Sequence, residues 1–110
     1  MPRPPRLSPD AVAAALSDLP LWSGGPDGIE RTLEVPTFRA ATEAIGMIAD
    51  VAEQLDHHPD IDLRWTRVRV AVVTHAAGGL TELDLELARR VDALFPDQPD
   101  GGGEPPAISR

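Results

Sequence analysis

The apolar positions of this chain follow two rhythms. From Phe38 to Leu55 they recur at steps of three or four: Phe38, Ala41, Ile45, Ile48, Ala52 and Leu55 make one stripe over five turns. That spacing predicts an amphipathic helix with one face on a core. Thr37 is its candidate cap, and Pro59 prevents continuation past the His57-His58 pair. An earlier helix is predicted from Ser8-Pro9-Asp10, which combines a cap hydroxyl, a first-turn proline and an acid, with Val12, Ala15, Leu16 and Leu19 on its apolar face and Pro20 at its end. A last helix follows Thr81, with Asp84 three residues on as a capping-box variant, a stripe of Leu83, Leu87, Val91 and Leu94, and Pro96 as its stop.

Between the helices the period falls to two. Ile29, Arg31, Leu33 and Val35 alternate with polar residues after the turn cluster Ser23–Gly28, which predicts a hairpin. Asp60 to Thr74 reads as extended chain, with Val68, Val70 and Val72 on one face and Arg67 and Arg69 on the solvent face. Ala76–Gly79 is a loop. Its Gly78-Gly79 pair is a turn rather than a phosphate cradle, because it lacks the surrounding pattern of one. The order α-β-β-α-β-β-α predicts an α+β fold, an antiparallel four-stranded sheet with three helices on one face.

Composition narrows the function. The 110 residues suffice for one modest core. All ten basic side chains are arginine, against 18 acids, for a formal net charge of -8. Nucleic acid as the main partner is therefore not expected, since it calls for a basic footprint. With no cysteine there is no disulfide, thiol chemistry or Fe–S cluster. No apolar run approaches the ~20 residues of a membrane span, and no apolar segment follows the starting M-P-R-P-P-R. No membrane role and a cytoplasmic location are expected. Residues 1–6 read as a disordered arm, 7–95 as the folded domain, and the Pro-, Gly- and acid-rich 96–110 as a disordered tail.

All three histidines, His57, His58 and His75, fall within nineteen residues. Histidine is the side chain whose ordinary pKa lies between pH 5 and 8, so the cluster suggests proton transfer or a metal. Geometry sets a condition. At ~3.3 Å per residue, unbroken strand from His58 to His75 would hold them more than ~50 Å apart. They share a site only if the chain reverses near Trp65-Thr66, or if a second subunit supplies one of them.

From Glu53 the chain reads E-Q-L-D-H-H-P, then Trp65, then a strand ending in Thr74-His75, then Asp84. This stretch closely resembles the pterin-4a-carbinolamine dehydratase family, in which an acid precedes His-His-Pro by four and an aromatic, a Thr-His and an Asp follow. Eight positions over 32 residues agree in type and spacing, and the likeness extends from about Ser8 to Leu94. The departures are Ala76, Ala44 and Ile61, where the family often has an acid or aromatics. The resemblance implies loss of water from a 4a-hydroxytetrahydropterin to give quinonoid dihydropterin, in support of tetrahydropterin recycling, with no metal or other cofactor. It implies catalysis by His57, His58 and His75, with His57 and His75 exchanging protons and His58 orienting the pterin. Asp56 and Thr74 would join them in binding substrate. Glu53, Pro59, Trp65 and Asp84 would support the site; Glu53, one helical turn before His57 and on the same face, is placed to orient that imidazole. The resemblance also implies a homo-oligomer, dimer or tetramer, and an aromatic amino acid hydroxylase as a functional partner.

Plainer roles stand beside these. A histidine pair at a helix C-terminus can simply cap it, a strand-end histidine is usually a surface residue, and the capping box accounts for Asp84 completely. The rival functions are a non-catalytic binding or dimerisation module of the same fold, and a three-histidine metal site. The second lacks helical H-x-x-x-H spacing.

Overall fold

The structure is a computed structural model that describes residues 4–96. Three α-helices, α1 (Pro9–Ser17), α2 (Phe38–Leu55) and α3 (Glu82–Leu94), alternate with four strands, β1 (Ser23–Gly25), β2 (Gly28–Glu34), β3 (Asp60–Arg64) and β4 (Arg67–Val72). The strands form one antiparallel sheet in the order β1-β2-β4-β3. This is the expected α+β architecture. The tail expected over 96–110 lies, Pro96 apart, outside the described residues, as do residues 1–3 of the arm.

The period-two pattern sorts the sheet into two faces. Ile29, Leu33, Val68, Val70 and Val72 are buried in one cluster with Val12 of α1, Ala41, Ala44, Ile48 and Ala52 of α2, and Leu85, Leu87, Ala88 and Val91 of α3. Burial of each larger aliphatic in this layer stabilises the fold by roughly 1.5–3 kcal/mol. The opposite face carries ion pairs, Arg69 with Glu30 and Arg67 with Glu34. The hydrogen bond and charge of Glu30 raise the Arg69 guanidinium above its already high range. Arg31 is the polar exception on the inner face. Its guanidinium donates to Asp92 and to the Phe95 carbonyl, and the Trp22 indole donates to the same Asp92 oxygen. Phe38, the first position of the predicted α2 stripe and the first residue of the helix, is half exposed.

Chain reversal falls at Trp65-Thr66. Arg64 faces Arg67 across a two-residue loop, and the Val35 N–H donates to the Thr66 carbonyl, tying β2 to the turn. The loop lacks glycine, so a tryptophan takes the left-handed conformation, with φ of 57° at Trp65. A bulky residue there is strained.

Candidate functional site

The two histidine-bearing segments meet at one end of the sheet. The β3–β4 register pairs Asp60 with Ala71. Carried two and then three residues outward, it sets His58 across from Val73 and His57 across from Thr74. Reversal thus occurs within one chain.

Local chemistry fixes how each segment arrives. α2 ends on Asp56 in the left-handed conformation, φ 52°. Its N–H reaches back to Glu53, and the next N–H, of His57, reaches Ala52, the bond pair of a Schellman ending. This turns the chain off the helix axis, so His57 leaves α2 toward α3. On the other side, Thr74 pairs with Gly79 as an isolated bridge. The intervening His75–Ala77 forms a 3₁₀ turn closed by Gly78 at φ 78°.

Asp84 joins the two segments. Its carboxylate is fully buried. Oδ2 accepts from the Thr81 N–H at 2.8 Å and from the Thr74 hydroxyl at 2.7 Å, while Oδ1 lies 2.6 Å from His57 Nε2. Thr81 Oγ1 sits 2.9 Å from Thr74 Oγ1 and accepts from the Leu83 N–H. The Thr74 hydroxyl spends its proton on Asp84, so Thr81 donates to Thr74. The capping box is therefore present, and its carboxylate also holds the imidazole. The structural and functional roles weighed for Asp84 are not alternatives.

A carboxylate oxygen facing Nε2 assigns the proton of neutral His57 to that nitrogen and leaves the lone pair on Nδ1. His57 is 12% exposed, enough for one edge of the ring to meet a ligand. Such an imidazole can take a proton at Nδ1 while Asp84 stabilises the cation formed.

Glu53 meets His58 rather than His57, with its carboxylate 2.9 Å from Nε2 and both side chains exposed. The spacing of four points at His57 only while the helix continues, and the left-handed Asp56 breaks that continuity. His75 is exposed, and among the described residues no side chain hydrogen-bonds its ring. Thr74 is buried with its hydroxyl, N–H and carbonyl all engaged within the fold, so it positions neighbours and has no donor left for a ligand. Asp56 is exposed at the mouth of this arrangement, and Pro59 is half-buried between His58 and β3. Trp65 is not brought to the site. It occupies the opposite end of β3, eight residues of chain from His57, roughly 26 Å at ~3.3 Å per extended residue. Thr81 escaped the site expectations although its capping signal was legible.

Among the described residues no three His, Cys, Asp or Glu side chains converge in a metal-binding group. An open depression of about 330 Å³ lies on the outer sheet face, bordered by Glu30, Asp60 and Arg69, and no histidine lines it.

With this geometry in place, the comparison with known proteins is decisive: residues 5–94 match the family model for pterin 4 alpha carbinolamine dehydratase. The chain belongs to this dehydratase family. A relative from Mycolicibacterium smegmatis, provisionally named a pterin-4-alpha-carbinolamine dehydratase, is 45% identical over 91 residues, covering 83% of this chain and 97% of its own. One of the same provisional name from Acidobacterium capsulatum is 48% identical over 90 residues, covering 82% and 98%. The crystal structure of a transcriptional coactivator/pterin dehydratase from Brucella melitensis superposes with a TM-score of 0.76 at 35% identity, covering 81% of this chain and 97% of that one. A pterin dehydratase-like protein described as a RuBisCO assembly factor in the alpha-carboxysome shares the fold, with a TM-score of 0.56 at 22% identity over 70% and 89%. No helix among the described residues is long and apolar enough to cross a membrane.

Proposed function

We propose that this chain is a hydro-lyase that dehydrates a pterin-4a-carbinolamine to quinonoid dihydropterin by histidine acid–base catalysis. In the reaction the N5–H proton is removed, the C4a–O bond breaks, an N5=C4a double bond forms, and the hydroxyl leaves as water with a second proton. Positioned acid and base groups near neutral pKa contribute about 10²–10⁴-fold to such transfers. The observation that carries the reading is the buried Asp84 carboxylate, which holds Nε2 of His57, so that the lone pair of the neutral ring falls on Nδ1, and in the same bond network fixes Thr74, the residue before His75. A simple binding module has no need of an oriented imidazole.

His57 and His75 exchange the protons. His58, steadied by Glu53, holds and orients the pterin, and Asp56 offers it a hydrogen bond. Thr74 acts by positioning. The chemistry needs no metal, nucleotide or redox cofactor. Regeneration of tetrahydropterin for an aromatic amino acid hydroxylase is the setting that fits such a product, in the cytoplasm and without nucleic acid or membrane as partner. The half-exposed Phe38 and Met47 on α2 and Trp65 at the hairpin tip favour a dimer or tetramer.

The test is decay of a synthetic 4a-hydroxytetrahydropterin followed by absorbance. The wild-type chain should accelerate it, and His57→Ala or His75→Ala should lower the rate at least about tenfold while the fold persists. Wild-type turnover by either variant overturns the mechanism. A monomeric mass by light scattering at micromolar concentration overturns the assembly.

A further inference from the structure

Of the three histidines, His57 leans on Asp84 and His58 on Glu53, whereas no side chain among the described residues holds His75. Its placement depends on the backbone of its own short turn. Within that turn, the N–H groups of Ala77, Gly78 and Gly79 all donate to the Thr74 carbonyl. From outside, the Leu80 N–H donates to the Pro26 carbonyl, and the Leu7 N–H donates to the Leu80 carbonyl. The turn is thus sandwiched between the β1–β2 loop and the segment preceding α1.

Arg6 closes this sandwich. A Cβ placed on Gly79 would lie 2.7 Å from Arg6 Nε, 3.1 Å from Arg6 Cζ and 2.6 Å from the Pro26 carbonyl oxygen. Glycine is required there for close approach, not for an unusual φ. The guanidinium lies against the backbone of Gly78 and Gly79, with its Nη2 3.4 Å from Asp27 Oδ1. Asp27 is 94% exposed, so this long ion pair adds little in water. The close packing of the Arg6 head on the glycines is therefore what Arg6 adds to a turn already closed by its backbone bonds. Residues 4–6, expected to belong to a disordered arm, thus touch the fold through Arg6.

We propose that Arg6 is a positioning residue for His75, acting through the close packing of its guanidinium on the Gly78-Gly79 turn. The inference rests on the dehydratase reading, in which His75 transfers a proton. A misplacement of about 1 Å in a reacting group can cost 10²-fold.

The experiment measures kcat, KM and the pH–rate profile of carbinolamine decay for Arg6→Ala, Arg6→Lys and Asp27→Ala. Amide hydrogen exchange at Ala77–Gly79 and Tm are measured in parallel. Arg6→Ala should lower kcat about 10- to 100-fold with KM within about threefold, speed exchange at those amides, and shift Tm by no more than about 4 °C. Arg6→Lys should not rescue, because an ammonium cannot lie flat on a backbone, and Asp27→Ala should match wild type. Wild-type kcat and exchange in Arg6→Ala overturn the proposal, and so does full rescue by lysine. The exchange readout needs no substrate. An inactive wild type would sink the dehydratase reading alone, and unchanged exchange beside an active wild type would sink the Arg6 proposal alone.

Discussion

Asp84→Asn separates catalysis from folding. The variant keeps the shape of a fully buried side chain. Its single carbonyl oxygen is best used where two donors already converge, at the Thr81 N–H and the Thr74 hydroxyl. The amide NH₂ then faces His57 Nε2 as a donor. That forces the imidazole to accept at Nε2 and to carry its proton on Nδ1, removing the lone pair that the proposed mechanism uses. Two of the three bonds to residue 84 survive as neutral bonds, so the stability loss should be about 1–3 kcal/mol. Asp84→Ala instead strands His57, Thr74 and Thr81 together, at about 1–3 kcal/mol each, which approaches the whole stability of a small domain. We expect Asp84→Asn to fold and to lose about 10²–10⁴-fold in kcat, with KM little changed. Nitrogen-15 NMR of the histidine rings should find the neutral proton on Nε2 of His57 in wild type and on Nδ1 in the variant. Wild-type kcat in Asp84→Asn, or a wild-type ring already protonated on Nδ1, refutes the reasoning.

Other outcomes follow from the same structure. Asp56→Gly should stabilise the chain by about 0.5–1 kcal/mol in denaturant melts, because glycine takes the left-handed ending without strain, and Asp56→Ala should destabilise it. A raised KM in the more stable Asp56→Gly would locate a substrate contact in the carboxylate. Glu53→Gln should cost less than about 1 kcal/mol, since the pair with His58 is exposed, yet should raise KM by freeing the imidazole; an unchanged KM removes His58 from substrate binding. Arg31→Ala should cost about 3 kcal/mol by leaving a half-buried Asp92 with Trp22 as its one side-chain donor among the described residues, read as a lowered Tm, and a loss under about 1 kcal/mol would contradict the clamp.

Local signals spoke clearly in the sequence where one segment decided the outcome. The α2 stripe, the Thr37 and Thr81 caps and the alternation of Val68, Val70 and Val72 all describe what the chain does by itself, and the structure follows them. The hairpin at Trp65-Thr66 was legible only through a distance argument, because its residues lack turn chemistry. The site was legible as a list of residues but not as a set of partnerships. Glu53 changed partner because one left-handed residue intervenes between it and His57. Asp84 gained a second task because α3 lands beside the end of α2, a tertiary fact that no local pattern encodes. Arg6 gave no signal, since a contact between a guanidinium and a distant glycine backbone leaves no periodicity.

The two-residue loop at Trp65-Thr66 has a consequence for how such a chain can change over evolution. It works as a ruler, because its length alone sets which residue of the outgoing strand stands across from which residue of the returning one. Adding or deleting a single residue there would turn every side chain of one strand to the other face. β4 is held by β2 on its other side, so the edge strand β3 would turn over, and the His57 end would slide out of step with the Thr74 end, roughly 26 Å from the lesion at ~3.3 Å per residue. The hairpin tip should therefore tolerate substitution far better than any change in length. A strained tryptophan can persist in this turn for the same reason: relieving it by lengthening the loop would misalign the histidine segments at the far end of the sheet.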